Sequence, residues 1–101
     1  MVTWLWLWGG SSFGYRAEGE LRTQDGRHVG RFQGPEVYGL DGLYLGEVKR
    51  DGRLLVDLAK KSRHIQAFDP LPQCQERPSV FGFSSIPLPS GYAEFPRPSR
   101  L

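Results

Sequence analysis

Residues 4–8 alternate between two kinds of apolar side chain. Trp4, Trp6 and Trp8 alternate with Leu5 and Leu7, and a period of two is typical of a β-strand, whose successive side chains point to opposite faces. One face of the predicted strand therefore carries three indoles and the other carries leucines. Because both faces are apolar, we expect the strand to be buried on both sides or to present its indole face to a partner.

An internal repeat follows this strand. The pattern Glu-Leu-x-x-x-Asp-Gly-x-x-Val-Gly-x-Phe over 20–32 recurs over 36–48 as Glu-Val-x-x-x-Asp-Gly-x-x-Leu-Gly-x-Val. In each copy an Asp-Gly pair separates two β-compatible segments, and such a pair favours a hairpin turn that needs positive φ. A repeat of this kind indicates a supersecondary unit used more than once. The sequence therefore predicts hairpins over about 20–33 and 36–48.

Each predicted returning strand carries a glycine in its middle, Gly30 in the first copy and Gly46 in the second. A glycine inside a strand weakens it, so two glycines in register predict that another backbone or a large ring passes close by. The candidate rings are Phe32, Tyr38 and Tyr44.

A third hairpin is expected over 53–68, after the next Asp-Gly pair. One alternative stays open here, because Leu54, Leu58 and Ile65 fall near helical spacing and would fit a short helix over 55–64. We favour strand, since the preceding units are predicted to be strands.

From residue 69 onward the chain is rich in proline. Proline cannot donate a hydrogen bond to a strand ladder, so this part is expected to consist of loops, edge strands and polyproline-like segments. The exception is Val80–Ser84, which has the composition of a strand. We therefore predict one mainly β domain over 1–101, in which repeated hairpins form a small closed, pseudo-symmetric, barrel-like arrangement. The Pro-rich part, 69–101, wraps around it.

Composition agrees with one small globular domain. The chain has 101 residues and a net charge of +2, and its 13 Gly and 8 Pro argue against a helical bundle. The single cysteine, Cys74, excludes an intramolecular disulfide. The apolar N-terminal run lacks a basic n-region and is far shorter than the about 20 residues of a membrane span. These features predict a cytoplasmic protein with no membrane span.

Several motifs also occur in a specific order. They are Phe13-Gly14-Tyr15-Arg16, the Asp-Gly segments over 25–32 and 36–47, Ala59-Lys60-Lys61-Ser62 and Gly91-Tyr92-x-Glu94-Phe95-Pro96. In this order they resemble the four-fold beta-flower family of small bacterial proteins, over residues 9–96. The resemblance implies short hairpins arranged about a pseudo-four-fold axis, and it implies no catalytic residues.

Candidate chemistry is sparse. His28, His64 and Cys74 are the soft metal-ligand candidates, and none lies at the close spacing of a zinc site. The sequence contains no nucleophile elbow and no glycine-rich phosphate loop. We therefore expect no metal, no cofactor and no enzymatic activity.

Two hypotheses about function follow. The favoured one is a non-enzymatic structural or protein-interaction module that binds a second copy of itself, or another protein, through Trp4, Trp6 and Trp8. The alternative is a weak nucleic-acid-binding module, because small β modules bind single strands by charge and stacking. Its candidate residues lie in the basic segment 49–64 and are Lys49, Arg50, Lys60, Lys61 and Arg63.

Overall fold

A computed structural model of the chain describes residues 2–49, 52–74 and 87–101. Within these ranges two single 3-10 turns, Leu58–Lys60 and Pro98–Arg100, are the helical elements, and no helix is long and apolar enough to cross a membrane. The predicted mainly β fold is confirmed. The strands are β1 (Val2–Leu7), β2 (Ser12–Ala17), β3 (Glu20–Thr23), β4 (His28–Gln33), β5 (Glu36–Gly39), β6 (Tyr44–Val48), β7 (Arg53–Asp57) and β8 (Tyr92–Glu94).

The strands close into a barrel. Each strand from β1 to β7 pairs antiparallel with the next, and β1 then pairs with β7 in parallel, Trp6 beside Arg53 and Leu7 beside Leu54. β1 and β7 pair in parallel because the barrel has seven strands. When an odd number of strands alternate in direction, the first and the last run in the same direction. β8 pairs antiparallel with β7 over Leu55–Asp57 and lies outside the seven-stranded barrel. The predicted closed arrangement is therefore a barrel with one additional strand.

Three hairpins share one register at steps of sixteen residues. They are β1–β2, β3–β4 and β5–β6, and in each an aliphatic residue lies opposite a glycine, with a bulge after the aliphatic residue. The opposed pairs are Leu5 with Gly14, Leu21 with Gly30, and Val37 with Gly46.

The three turns also share one geometry. Gly10, Gly26 and Gly42 have φ of 100°, 88° and 83°. Their N–H groups donate to the carbonyl oxygen three residues earlier at 2.9 Å. These positive φ values favour glycine, which has no Cβ to clash with the backbone. The first hairpin has the same turn as the two repeat copies although Gly9, and not aspartate, precedes its glycine.

The barrel interior explains the glycines inside the strands. A Cβ on Gly46 would lie 2.4 Å from the Leu55 carbonyl oxygen and 2.6 Å from the Phe95 ring. A Cβ on Gly30 would lie 2.9 Å from the Tyr38 carbonyl oxygen and 3.0 Å from a Val37 methyl. The predicted close approach is therefore present. The ring at Gly46 is Phe95, however, and not one of the three candidates named from the sequence.

Phe95 brings the C-terminal part of the chain into the core. It follows β8, is 2% exposed, and meets Phe13 edge to face with ring centroids 5.4 Å apart. The pairing of β8 with β7 places this ring inside the barrel. The buried core to which Phe95 belongs also contains Leu5, Leu7, Phe13, Leu21, Val29, Phe32, Val37, Tyr38, Tyr44, Leu54 and Val56.

The hairpin expected over 53–68 does not form. β7 ends at Asp57, whose carboxylate accepts the Ala59 N–H at 3.0 Å and caps a 3-10 turn, and residues 65–68 are not a strand. The alternative helix over 55–64 is also absent. The reason lies at Leu58, which occupies the position sixteen residues after Gly42. A residue with a Cβ does not readily adopt the positive φ that this turn requires.

The described segments of the Pro-rich part, 69–74 and 87–101, lie against the barrel as predicted. The Leu71 N–H donates to the His28 ring, and the Arg22 guanidinium donates to the Pro72 carbonyl. At the same end of the barrel Arg27 donates to the carbonyl oxygens of Pro98 and Leu101. The predicted strand over 80–84 lies outside the described residues.

The steric role of Gly46 gives a first prediction. Gly46→Ala should lower the free energy of unfolding by about 1–3 kcal/mol, because a rigid carbonyl and the Phe95 ring occupy the space that the methyl group needs. Urea unfolding followed by tryptophan fluorescence measures the loss. Gly9→Ala is the matched control, since a Cβ there meets nothing within 4 Å. Equal stability of the two variants would contradict the packing described for Phe95.

Candidate functional site

The outer side of β1 carries two of the three tryptophans. Leu5 and Leu7 point into the core, so Trp4 and Trp6 point outward, where both are partly exposed. The Trp4 ring meets the Tyr15 ring edge to face, with centroids 5.1 Å apart and planes inclined by 62°. We call the outward side of Trp4 and Trp6 the indole surface.

Trp8 does not belong to this surface. It lies beyond the end of β1 and is 9% exposed. Its indole N–H donates to the Pro87 carbonyl at 3.0 Å, and its own carbonyl accepts from the Arg53 guanidinium at 2.8 Å. The three tryptophans predicted to act together are thus divided between an outer surface and a buried anchor.

The strand that carries the indole surface is paired unevenly. Val2–Leu5 pair with β2, whereas pairing with β7 begins only at Trp6. Within the described ranges the first half of β1 therefore has a strand partner on one edge, and on the other edge it has the close approach of Gly52 to the Trp4 carbonyl oxygen. Such an edge is a template for another strand, and aromatic side chains beside it add contact area.

The basic residues of the segment 49–64 converge on two carboxylates. The Lys60 ammonium lies 2.8 Å from Glu47 Oε1 and 3.2 Å from Glu36 Oε2. Lys49 is 2.9 Å from Glu47, and Arg63 is 2.6 Å from Glu36. Glu36 and Glu47 lie directly opposite each other on β5 and β6, where two like charges repel. Lys60 bridges them and removes that repulsion.

Two tyrosines complete this cluster. The Tyr38 hydroxyl donates to Glu36 at 2.8 Å. The Tyr44 hydroxyl donates to Glu47 at 3.1 Å and accepts the Asp57 N–H at 3.0 Å. Burial raises the pKa of Tyr44 to about 12. We call Glu36, Tyr38, Tyr44, Glu47, Lys49, Lys60 and Arg63 the lysine-bridged cluster.

Folding changes the proton affinity of the cluster's charged groups. The hydrogen bond from Tyr38 lowers the pKa of Glu36. Burial raises the pKa of Glu47, but hydrogen bonds from Lys60 and Lys49 outweigh it and leave that pKa lowered. A carboxyl group whose pKa is lowered by folding stabilises the folded protein at pH values above its ordinary pKa, which is 4.5 for these glutamates. This stabilisation is lost as the pH falls through the lower folded-state pKa.

The other two basic candidates differ from these three. Lys61 is exposed to solvent, while Arg50 lies outside the described residues. Three of the basic residues in the segment 49–64 are thus paired with Glu36 and Glu47, and they are Lys49, Lys60 and Arg63.

The preceding hairpin holds a second polar cluster, at positions sixteen residues earlier. His28 Nε2 lies 2.6 Å from Glu20 Oε1, and Arg31 Nε lies 3.1 Å from both oxygens of that carboxylate. The Leu71 N–H donates to His28 Nδ1 at 2.9 Å. Because Nδ1 accepts a bond, the ring proton of the neutral imidazole is on Nε2.

A histidine beside a carboxylate resembles a general base with its orienting acid. In this cluster, however, both ring nitrogens of His28 already have partners, and the side chain has no exposed surface. Neither nitrogen is available to take a proton from a substrate. The sequence identifies His28 only as a metal-ligand candidate, and the repeat position that His28 shares with Tyr44 is the sequence signal that places both side chains in corresponding clusters.

No family model, curated protein or solved structure matches the chain. In the part of the chain that the structure describes, no group of three His, Cys, Asp or Glu residues could hold a metal ion. The function is therefore inferred from the indole surface and the two polar clusters.

The bridging role of Lys60 gives a second prediction. Lys60→Gln should lower the free energy of unfolding by about 1–3 kcal/mol, because Glu36 and the 3% exposed side chain of Glu47 would then face each other without the ammonium. Urea unfolding at pH 7 measures the change. Lys61→Gln removes the same charge one residue away and should change stability by less than about 0.5 kcal/mol. Losses of equal size would show that overall charge, and not the bridge, matters.

Proposed function

We propose that this protein is a bacterial, cytoplasmic, non-enzymatic interaction module that associates with a second copy of itself through the indole surface. The observation that carries the proposal is the position of Trp4 and Trp6. They are partly exposed on the outside of a strand whose neighbouring edge has no strand partner among the described residues. Tryptophan is among the residues most enriched at the energetic centre of interfaces.

A second copy is the partner that this geometry favours. A strand edge pairs antiparallel with an identical edge about a two-fold axis, so one surface is complementary to itself. Edge pairing of Val2–Leu5 would bring the Trp4 and Trp6 rings of both copies to one side of the joined sheet. The apolar contact and the backbone hydrogen bonds would then act together.

The polar clusters support a non-enzymatic role. Lys60 neutralises Glu36 and Glu47, and the two nitrogens of His28 bond to Glu20 and to the Leu71 backbone. These groups therefore hold the fold together, and their proton-transfer positions are occupied.

We also propose that the chain is related to the four-fold beta-flower family. Three hairpins in one register support this relation. β7 lies where the first strand of a fourth hairpin would begin, since Arg53 is sixteen residues after Val37.

Self-association gives a third prediction. The protein should form a concentration-dependent dimer of twice 11.4 kDa, measured by native mass spectrometry and light scattering. Replacing Trp4 and Trp6 together with serine should weaken the dimer by about a hundredfold or more, as loss of two central anchors does. Circular dichroism checks that this variant remains folded.

The matched control removes apolar surface elsewhere. Leu43 and Leu58 are 56% and 46% exposed, and replacing both with serine should leave the dimer intact. A protein that is monomeric at every concentration, or a dimer weakened equally by both double variants, would refute the proposal.

Nucleic-acid binding gives a fourth prediction, which separates the alternative from the proposal. Because Lys49, Lys60 and Arg63 are paired with carboxylates, we expect only non-specific affinity for a labelled single-stranded oligonucleotide, about 100 μM or weaker at physiological salt. Fluorescence anisotropy at several salt concentrations measures it. Micromolar or tighter binding with a steep salt dependence, abolished by Lys61→Ala with Arg63→Ala, would favour the alternative.

A further inference from the structure

We propose that residues 69–74 form a pH-sensitive strap, which neutral His28 holds closed and which opens when the imidazole takes up a second proton. This inference goes beyond the proposed self-association and does not depend on it. It rests on the geometry of one buried ring, whose two nitrogens face partners of opposite hydrogen-bonding character.

The two partners of His28 impose different demands. The Glu20 carboxylate can only accept, so it requires a proton on Nε2 at 2.6 Å. The Leu71 N–H can only donate, so it requires a lone pair on Nδ1 at 2.9 Å. The neutral ring satisfies both. An imidazolium carries protons on both nitrogens, and its Nδ1–H would point at the Leu71 N–H, so the second proton cannot enter without breaking this bond.

The remaining strap contacts do not depend on a histidine. Arg22 donates to the Pro72 carbonyl at 2.9 Å, and the Cys74 N–H donates to the Gly26 carbonyl at 3.3 Å. Gln73 donates to the Asp25 carbonyl, and the Tyr15 hydroxyl donates to the Cys74 carbonyl at 3.1 Å. Their donors and acceptors are peptide groups, an amide, a phenol and a guanidinium, which keep their protonation between pH 5 and 8. The bond between Leu71 and His28 is therefore the pH-sensitive one in this set.

The charged surroundings of His28 do not remove this conflict. Glu20 on β3 attracts the second proton, and Arg31 on β4 offsets that attraction by binding the same carboxylate. Phe68 covers the ring, with centroids 5.6 Å apart. The other charged groups near the ring are Arg22 on the facing strand and, around the neighbouring cavity, Arg27, Asp41 and Arg100. None of them can supply an acceptor at Nδ1 while Leu71 remains there.

The expected size follows from proton linkage. Histidine is the side chain that ordinarily changes charge between pH 5 and 8, and the closed strap has no acceptor for a proton on Nδ1, because the Leu71 N–H occupies that position. Uptake of the second proton therefore favours the open strap, and the closed form loses stability as the pH falls through this range. The ratio of open to closed strap should rise about tenfold between pH 7.5 and 5.5.

Hydrogen exchange tests the strap directly. After correction for intrinsic exchange rates, protection of the Leu71 and Cys74 amides should fall about tenfold between pH 7.5 and 5.5. The Phe32 and Val48 amides, which bond within the barrel, should keep their protection and so exclude global unfolding. His28→Gln should abolish the pH dependence, whereas His64→Gln, at the exposed histidine, should preserve it.

A spectroscopic measurement on the unmodified protein keeps the test valid if His28→Gln does not fold. The ¹⁵N shifts of the His28 ring should report a protonated Nε2 and an unprotonated Nδ1 at pH 7.5, and Nδ1 should become protonated in step with the loss of Leu71 protection. Titration of the ring while Leu71 stays protected would overturn the proposal. Loss of protection in His28→Gln with the same pH profile as the wild type would overturn it as well.

Discussion

The closure of β7 against β1 is the contact on which the rest of this structure depends. Three hairpins supply six strands that each bury one face, but six strands in a row leave β1 and β6 with open edges. β7 covers β6 on one side and meets β1 at Trp6 and Leu7 on the other. Because β7 has no returning strand of its own, this contact is parallel and short. Both the partly unpaired edge of β1 and the place that β8 takes on β7 follow from this one fact.

The chain after β7 then runs back around the barrel and completes each hairpin in reverse order. Lys60 bridges the carboxylates of the β5–β6 hairpin, and the Leu71 N–H donates to the His28 ring of the β3–β4 hairpin. The Cys74 carbonyl oxygen accepts a hydrogen bond from the Tyr15 hydroxyl of the β1–β2 hairpin. The side chains that this segment contacts lie on the outer side of the barrel, and they are Tyr44 and Glu47 in one hairpin, His28 in the next and Tyr15 in the first. An internal repeat thus creates three similar outer surfaces, and one extended segment satisfies the polar groups of each in a different way.

The sequence could predict the hairpins because their determinants are local. Positive φ at Gly26 and Gly42 is a property of the turn alone, and the alternation of the N-terminal run is a property of one strand. The predicted hairpin over 53–68 does not form, and the reason is also local. Leu58 occupies the position of the turn glycine, and a residue with a Cβ does not readily adopt the positive φ of that turn. The clusters could not be predicted in the same way, because Lys60 reaches Glu36 and Glu47 only after the sheet has brought these two carboxylates opposite each other. Likewise, no local signal indicates that a peptide N–H 43 residues away, from Leu71, meets the ring of His28.

The division of the surface between charge and apolar contact also bears on how such a small barrel would recognise a partner. Long-range attraction requires unbalanced charge, and in the basic segment Lys49, Lys60 and Arg63 are balanced by carboxylates at hydrogen-bonding distance. The indole surface offers what these groups do not, namely apolar area that loses its contact with water when it is covered. Trp4 and Trp6 do not belong to the lysine-bridged cluster, and both are partly exposed on the outer side of β1. Recognition through the indole surface therefore leaves the lysine-bridged cluster intact, whereas recognition through Lys49, Lys60 and Arg63 would compete with their carboxylate partners.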